Sequence, residues 1–460
     1  MRKAIISLVT VWAVIVLGVF LRAFKADVYP VDNNDDGLHY AWAGITFWDR
    51  PLAPMTHSIF DENNPALIWR SQFMDYIPIE RFGMKIVRPW LDHPPLGAAI
   101  IALPAKLLGF KALGPIPQMV VRFPALVASI FTLYLTYALA RDLFSQRAAK
   151  LAVTFLATVP YFVVAHRQSF LENILTPVFL AVLIYLRRFL HKKAQLMPVV
   201  ALAFVSGWIK VVGFAVPLML AVWAGYKKNF KVAIKLAAVG LASAASYAIY
   251  GLAVDKQLFV NTLTNQSVRG AFVSSFLNAV TTIEFYGPFR DGWYVLGFIL
   301  MLALIVKNKS DQERFYSWFA AAWLVVIFLT SGTLANSPWY RYPLIPFMAM
   351  ALGFYADRFL KQNSLFLALP FWLLGLTGLD LIGADLPSSW LRLATVIFFS
   401  VYGLNLLVKN RLVGKLAKLT TRVFLAALVL LNIYVNLRFE TVYCSHERCL
   451  APTKIILEAK

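Results

Sequence analysis

The stretch VRFPALVASIFTLYLTYALARDLFSQRAAK, residues 121–150, joins a predominantly apolar run to a connector carrying Arg141, Arg147 and Lys150. A helix rises about 1.5 Å per residue, so about 20 such residues match the ~30 Å hydrocarbon of a bilayer. Lys and Arg just beyond a span mark its cytoplasmic end. Working outward, the same unit recurs along the chain. Thirteen apolar runs lie near 4–22, 121–140, 149–165, 174–190, 195–208, 209–225, 233–252, 292–306, 315–332, 344–358, 364–379, 390–408 and 422–438. Basic connectors lie at 141–150, 187–193, 227–235, 307–314, 358–361 and 409–422. The other connectors are 22–120, 253–291, 333–343, 380–389 and the tail 439–460. With Met1 inside, thirteen spans put every basic connector on the cytoplasmic side and the tail outside. The expected fold is an all-α polytopic membrane domain over 1–438, with a structured first outer loop and a short extracytoplasmic tail.

Composition agrees with this reading. Hydrophobic residues make up 60% of the 460 and charged residues 15%, against about 25% charged in a soluble domain. The net charge of +21 does not point to nucleic acid, because the cations fall in short clusters between apolar runs and no RNA- or DNA-binding motif accompanies them. Cys444 and Cys449 form a C-x4-C pair that could close a disulfide outside the cytoplasm. With only His446 nearby, they lack the ligands of a structural zinc site. After the first run, Leu21-Arg22-Ala23-Phe24 makes a poor cleavage site, so the run reads as an uncleaved span. Residues 95–110 are apolar but short. Placing them across the membrane would turn the 141–150 connector outward, so they read as an interfacial or re-entrant helix. No internal repeat or low-complexity linker is evident.

Polar chemistry is concentrated outside. Ten of the 23 acidic residues fall between Asp27 and Asp92. So long a connector is functional or disordered, and its Trp, Tyr, Phe and Pro content favours short surface helices. Within it, Asp35 and Asp36 precede Gly37-Leu38-His39-Tyr40. Paired carboxylates near a membrane suit general-base chemistry. They also suit a helix cap, and the two roles are compatible. A second cluster holds Arg88, Asp92 and His93 before Pro94-Pro95, where a cation meets lipid phosphates or simply snorkels. Three further sites fall at outward helix ends: Arg167 with Glu172, Lys210 within Gly207-Trp208-Ile209-Lys210, and Arg341 between Tyr340 and Tyr342. Cations in apolar stretches are costly and are functional candidates by default. Snorkelling accounts for Arg341 as readily, but less well for Lys210, which apolar residues flank on both sides. Glu284 and Arg290 are weaker candidates.

At these residues the chain resembles the GT-C fold glycosyltransferases, in particular the protein O-mannosyltransferases and lipid A aminoarabinose transferases. The carboxylate pair after the first span and His93-Pro94-Pro95-Leu96 carry the likeness. So do Arg122-Phe123-Pro124-Ala125, the run from Ala140 to Arg147, Arg167 to Glu172, Gly207 to Lys210, and Tyr340-Arg341-Tyr342-Pro343. The resemblance runs in register over roughly residues 1–350. It implies a sugar donor on a polyprenyl phosphate, undecaprenyl or dolichyl, and inversion at the sugar carbon. It implies an acceptor hydroxyl or phosphate on a glycan, lipid or protein outside the cytoplasm. It also implies that Asp35 is the catalytic aspartate, acting as base. Asp36 stands where the family more often has Glu. His93 stands where the aminoarabinose transferases have Lys and the mannosyltransferases His, and Glu172 stands for the latter's Asp. The β-trefoil domain of eukaryotic protein mannosyltransferases has no counterpart. His93, Arg88, Lys210, Arg341, Tyr340, Tyr342 and Arg167 are then the candidates for the lipid phosphate, with Asp92, Glu172, His39 and Glu284 as further site residues. This branch requires no cofactor, although the acidic loop could bind a divalent metal.

Two other classes fit a polytopic chain. A transporter or flippase for lipid-linked sugars would show inverted repeats and broken midplane helices, and neither stands out. A non-catalytic partner in glycan assembly would have no need of Asp35.

Overall fold

The computed structural model describes residues 2–27, 36–58, 67–71, 83–114, 116–267, 273–281, 291–330, 338–382, 387–408, 410–438 and 457–459. The chain opens with α1 (Arg2–Ala23), α2 (Asp36–Asp49) and α3 (Pro95–Leu107). Next come α4 (Gln118–Leu143), α5 (Gln146–Thr158), α6 (Pro160–Ala165) and α7 (Leu171–Leu190). They are followed by α8 (Met197–Ile209), α9 (Ala215–Tyr226), α10 (Phe230–Ser267) and α11 (Val273–Thr281). The remainder is α12 (Gly292–Lys307), α13 (Asp311–Thr330), α14 (Ile345–Gln362), α15 (Leu365–Gly375), α16 (Thr377–Leu381), α17 (Ser388–Leu407) and α18 (Arg411–Leu437).

Each apolar run read from the sequence falls on a helix. By length and composition, six described helices suffice to cross a bilayer: α4, α7, α10, α13, α17 and α18. The other runs fall on shorter, broken or more polar helices, so the figure of thirteen rests on composition and charge rather than on helix length.

The break between α5 and α6 shows how the fold tolerates such interruptions. Pro160 has no N–H to offer the Leu156 carbonyl, and it holds Val159 in an extended conformation (φ −61°, ψ 124°). The Tyr161 N–H turns away to the Asp291 carboxylate at 2.8 Å. Other helices make good the loss. Arg22 of α1 donates to the Leu156 carbonyl at 2.7 Å and to Ala157 at 3.4 Å. Asn436 of α18 donates to the Thr158 carbonyl at 2.7 Å. In hydrocarbon, an unsatisfied carbonyl costs several kcal/mol.

The connector between α1 and α4 differs from the expectation of helices alone. Strands β1 (Thr56–His57), β2 (Leu67–Ser71) and β3 (Gly83–Val87) form an antiparallel sheet with β4 (Leu457–Ala459), in the order β1-β3-β2-β4. Trp69 pairs with Ala459, so residues near the end of the chain sit beside the connector that follows α1. The fold is therefore helical in the membrane with a small sheet beside it. The strands are short, and the pairing partner of β2 lies nearly 400 residues away, so no local alternation announces them.

α2 and α3 pack directly together. A Cβ on Gly44 would meet the Ala98 carbonyl at 2.1 Å and the Ala102 methyl at 2.4 Å, so only glycine permits this crossing. Trp48 of α2 donates to the Ala99 carbonyl at 2.9 Å. α3 in turn lies against the turn after α8, where a Cβ on Gly97 would stand 2.5 Å from the Ile209 carbonyl. From the other side, α10 reaches the segment leading into α3. Tyr247 donates to the Leu91 carbonyl at 2.7 Å, and Gln266 donates to that of Asp92 at 2.7 Å.

At the basic end of the bundle, a few acids tie helices together. Arg147 and Lys361 share Asp357, Arg187 pairs with Asp142, and Lys227 pairs with Asp311.

Candidate active site

Helix ends and loops deliver polar side chains to the end of the bundle opposite those basic connectors. α2 supplies Asp36 and Tyr40, the segment before α3 supplies Trp90 and His93, and the first turn of α7 supplies Glu172. Lys210 comes from the turn between α8 and the 3-10 segment Val211–Phe214. A second 3-10 segment, Pro338–Leu344, supplies Tyr340.

Lys210 is extended (φ −155°, ψ 150°). Its amine donates to Glu172 Oε1 at 2.6 Å, and the two side chains are 2% and 0% exposed. The same ammonium stands 4.7 Å from the centre of the Tyr340 ring, a cation–π distance. The other Glu172 oxygen, Oε2, has no hydrogen-bond partner among the described residues. Asp36 also acts electrostatically on the ammonium.

Tyr40 sits among these groups. Burial first, then Asp36, Glu172, Tyr340 and Asp92, hold its hydroxyl well above the ordinary tyrosine range. It therefore stays protonated, a neutral donor. Its ring centre lies 6.1 Å from both Trp90 and His93, and Trp90 meets His93 edge-on at 5.7 Å. Tyr40 was not singled out in the sequence, although it lies four residues after Asp36 on one helix face.

The remaining candidates are placed as follows. Asp35 and Glu284 lie outside the described residues. Asp92 is buried and accepts from the Ser58 hydroxyl at 2.8 Å, which anchors the segment before α3. His39 faces β1, with its ring 5.0 Å from His57. Burial, and then His57, push its pKa down to about 3. Arg88 is exposed after β3.

The cations expected at the outer face include two that the structure turns inward. Arg341 is fully buried. It donates to the Tyr161 hydroxyl at 2.7 Å and the Tyr294 hydroxyl at 3.4 Å, with both rings within cation–π distance. Arg167 is also fully buried and donates to the Leu21 carbonyl of α1. Neither snorkels, because each finds internal oxygens to satisfy a guanidinium. Tyr342 is buried and donates to Gln168 Oε1 at 2.5 Å. Tyr161, Tyr294 and Gln168 carried no sequence signal of their own. Among the described residues, no group of three His, Cys, Asp or Glu side chains is placed to hold a metal ion.

Comparison with known proteins bears on this arrangement. Residues 92–250 match the family described as dolichyl-phosphate-mannose-protein mannosyltransferase. No curated protein sequence matches the chain. Among solved structures, the chain is similar to ArnT from Cupriavidus metallidurans in the apo state. The TM-score is 0.52 and the identity 17%, over 96% of this chain and 78% of that one. The same protein bound to undecaprenyl phosphate aligns at TM-score 0.49 and 18% identity, over 96% and 78%. The oligosaccharyltransferase AglB from Archaeoglobus fulgidus aligns at 0.48 and 15%, over 95% and 56%. The likeness to apo ArnT is one of fold, and the family match covers the segment that carries His93, Glu172 and Lys210. Together they give the chain the fold of apo ArnT and, over residues 92–250, a match to the mannosyltransferase family.

Proposed function

We propose that the chain is an inverting glycosyltransferase that moves a sugar from a polyprenyl-phosphate donor to a hydroxyl or phosphate acceptor on the extracytoplasmic face. The observation that carries this reading is the buried Lys210–Glu172 pair against the Tyr340 ring, with Asp36 and Tyr40 beside it. A sugar leaving a lipid phosphate deposits negative charge on the bridging oxygen. A cation and a neutral hydroxyl fixed in a water-poor site stabilise that charge better than water does. Lys210 and Tyr40 are those groups, with His93 on the adjoining wall. The binding of undecaprenyl phosphate by ArnT, similar in fold, supports a donor of this class.

The base belongs to the sequential pair Asp35 and Asp36, the second of which opens α2. Asp35, with Asp36 next to it, takes the acceptor proton. The acceptor oxygen then bonds to the anomeric carbon from the face opposite the breaking carbon–phosphate-oxygen bond, and polyprenyl phosphate departs with the electron pair. No step calls on a cofactor, so transfer persists in excess chelator.

The test is transfer of labelled sugar from a polyprenyl-phosphate donor by the purified chain and by Asp35→Asn and Asp36→Asn variants. Mass spectrometry of envelope glycans with and without the gene names the sugar and acceptor. Loss of the base lowers transfer about 10²–10⁴-fold while donor binding persists. Full turnover by both variants removes the pair from the mechanism.

A further inference from the structure

At the basic end, the last turn of α9, the end of α12 and the first turns of α13 enclose a cavity of about 360 Å³. Its walls include Val222, Trp223, Tyr226 and Trp318, with Asn308 and Arg314 also lining it. Val222 and Tyr226 are 47% and 58% exposed, so the hollow reaches the lipid-facing surface. It lies at the opposite end of α9 from Lys210, about 25 Å away along the helix rise. The proposed chemistry therefore does not account for it.

The charges around it have one dominant sign. Arg314 lines it, and Lys227, Lys228, Lys307 and Lys309 lie next to its lining residues in the sequence, against Asp311 and Glu313. Asp311 accepts from Lys227 and lies 3.7 Å from Arg314, which holds both cations beside the cavity. The Lys227 ammonium stands 5.2 Å from the Trp223 ring centre and 5.8 Å from that of Tyr226. The Trp223 indole N–H is buried and has no partner among the described residues.

An apolar hollow that opens to hydrocarbon and has cations at its edge fits an acyl chain below an anionic headgroup. A free phosphate has no use for the aromatic walls, and a zwitterionic lipid does not answer the excess of positive charge. We infer that this cavity binds one anionic phospholipid from the leaflet on the basic side, its phosphate on Arg314 and Lys227 and one acyl chain against Val222, Trp223 and Trp318.

Native mass spectrometry of the purified full chain tests this with phosphatidylglycerol and phosphatidylcholine of identical acyl chains. The wild type retains one phosphatidylglycerol at least tenfold more tightly than phosphatidylcholine. Arg314→Gln reduces that preference at least fivefold. Val222→Trp, which plugs the mouth from the exposed side, removes the retained lipid while Arg314 is intact. Equal retention of the two lipids by the wild type overturns the inference. So does an unchanged preference in both variants, or displacement by glycerol 3-phosphate at the lipid's own concentration.

Discussion

Lys210 and Glu172 place two opposite charges where neither meets water. Desolvating such a pair costs several kcal/mol per ion, and the mutual attraction only about offsets it. Removing one partner strands the other, at about 3–5 kcal/mol. Lys210→Met alone should therefore lower the thermal midpoint sharply, and adding Glu172→Leu should restore most of it. If the lysine serves the donor phosphate, the double variant is stable and inactive. Recovery of transfer in that variant would reduce the pair to a structural role. His39 carries a different prediction. Its pKa is held near 3 in the fold, against 6.5 when unfolded, so protons bind the unfolded chain preferentially between those values. Stability is complete above pH 6.5 and falls as pH drops, by about 2 kcal/mol at pH 5. Thermal midpoints at pH 7 and pH 5 should diverge less in His39→Phe than in the wild type. As single residues, Lys210 and Glu172 were legible from their apolar surroundings and position at helix ends. Their pairing was not, because 38 residues separate them. Arg341 was legible only as a cation at an outer helix end, functional or snorkelling, because the Tyr161–Tyr294 cage that absorbs it is assembled from three distant segments.

Among the elements, the turn that presents Lys210 is fixed by contacts that leave no room for a side chain. A Cβ on Gly97 stands 2.5 Å from the Ile209 carbonyl, and one on Gly213 stands 1.9 Å from that of Ser206. Gly97→Val pushes α3 off the turn, and overpacking of this kind costs about 1–3 kcal/mol. At roughly 1.4 kcal/mol per decade, misplacement of Lys210 should lower transfer about tenfold or more. Gly403→Ala, with nothing within 4 Å of the added carbon, should match the wild type in the same assay. The helices themselves were readable from the alternation of apolar runs and basic connectors. The short helix read at 95–110 is α3, while its interfacial place rests on the charge of the 141–150 connector. The sheet was hidden by short strands with a remote partner. Pro160 was visible as a helix breaker, but the donors that repair the break come from α1 and α18.

For the whole molecule, orientation is the outstanding expectation. The basic connectors cluster at one end of the bundle and the α2–α3 pair at the other, so the positive-inside rule assigns the latter to the outside. In a background of Cys444→Ser and Cys449→Ser, a cysteine at Leu52 should react with an impermeant maleimide on intact cells, and one at Lys309 should react only after lysis. The reverse pattern would invert the scheme and move the proposed chemistry to the cytoplasm. The repaired break at Pro160 also bears on how the chain can be divided. Its two outside donors, Arg22 and Asn436, belong to the first and last long described helices, and the carbonyls they serve belong to the end of α5. A split within the connector after α10 would therefore leave the earlier fragment with a bare Thr158 carbonyl, and the later one without the acceptor that Asn436 meets there. Neither half is a self-sufficient folding unit, and the two should accumulate only when co-expressed.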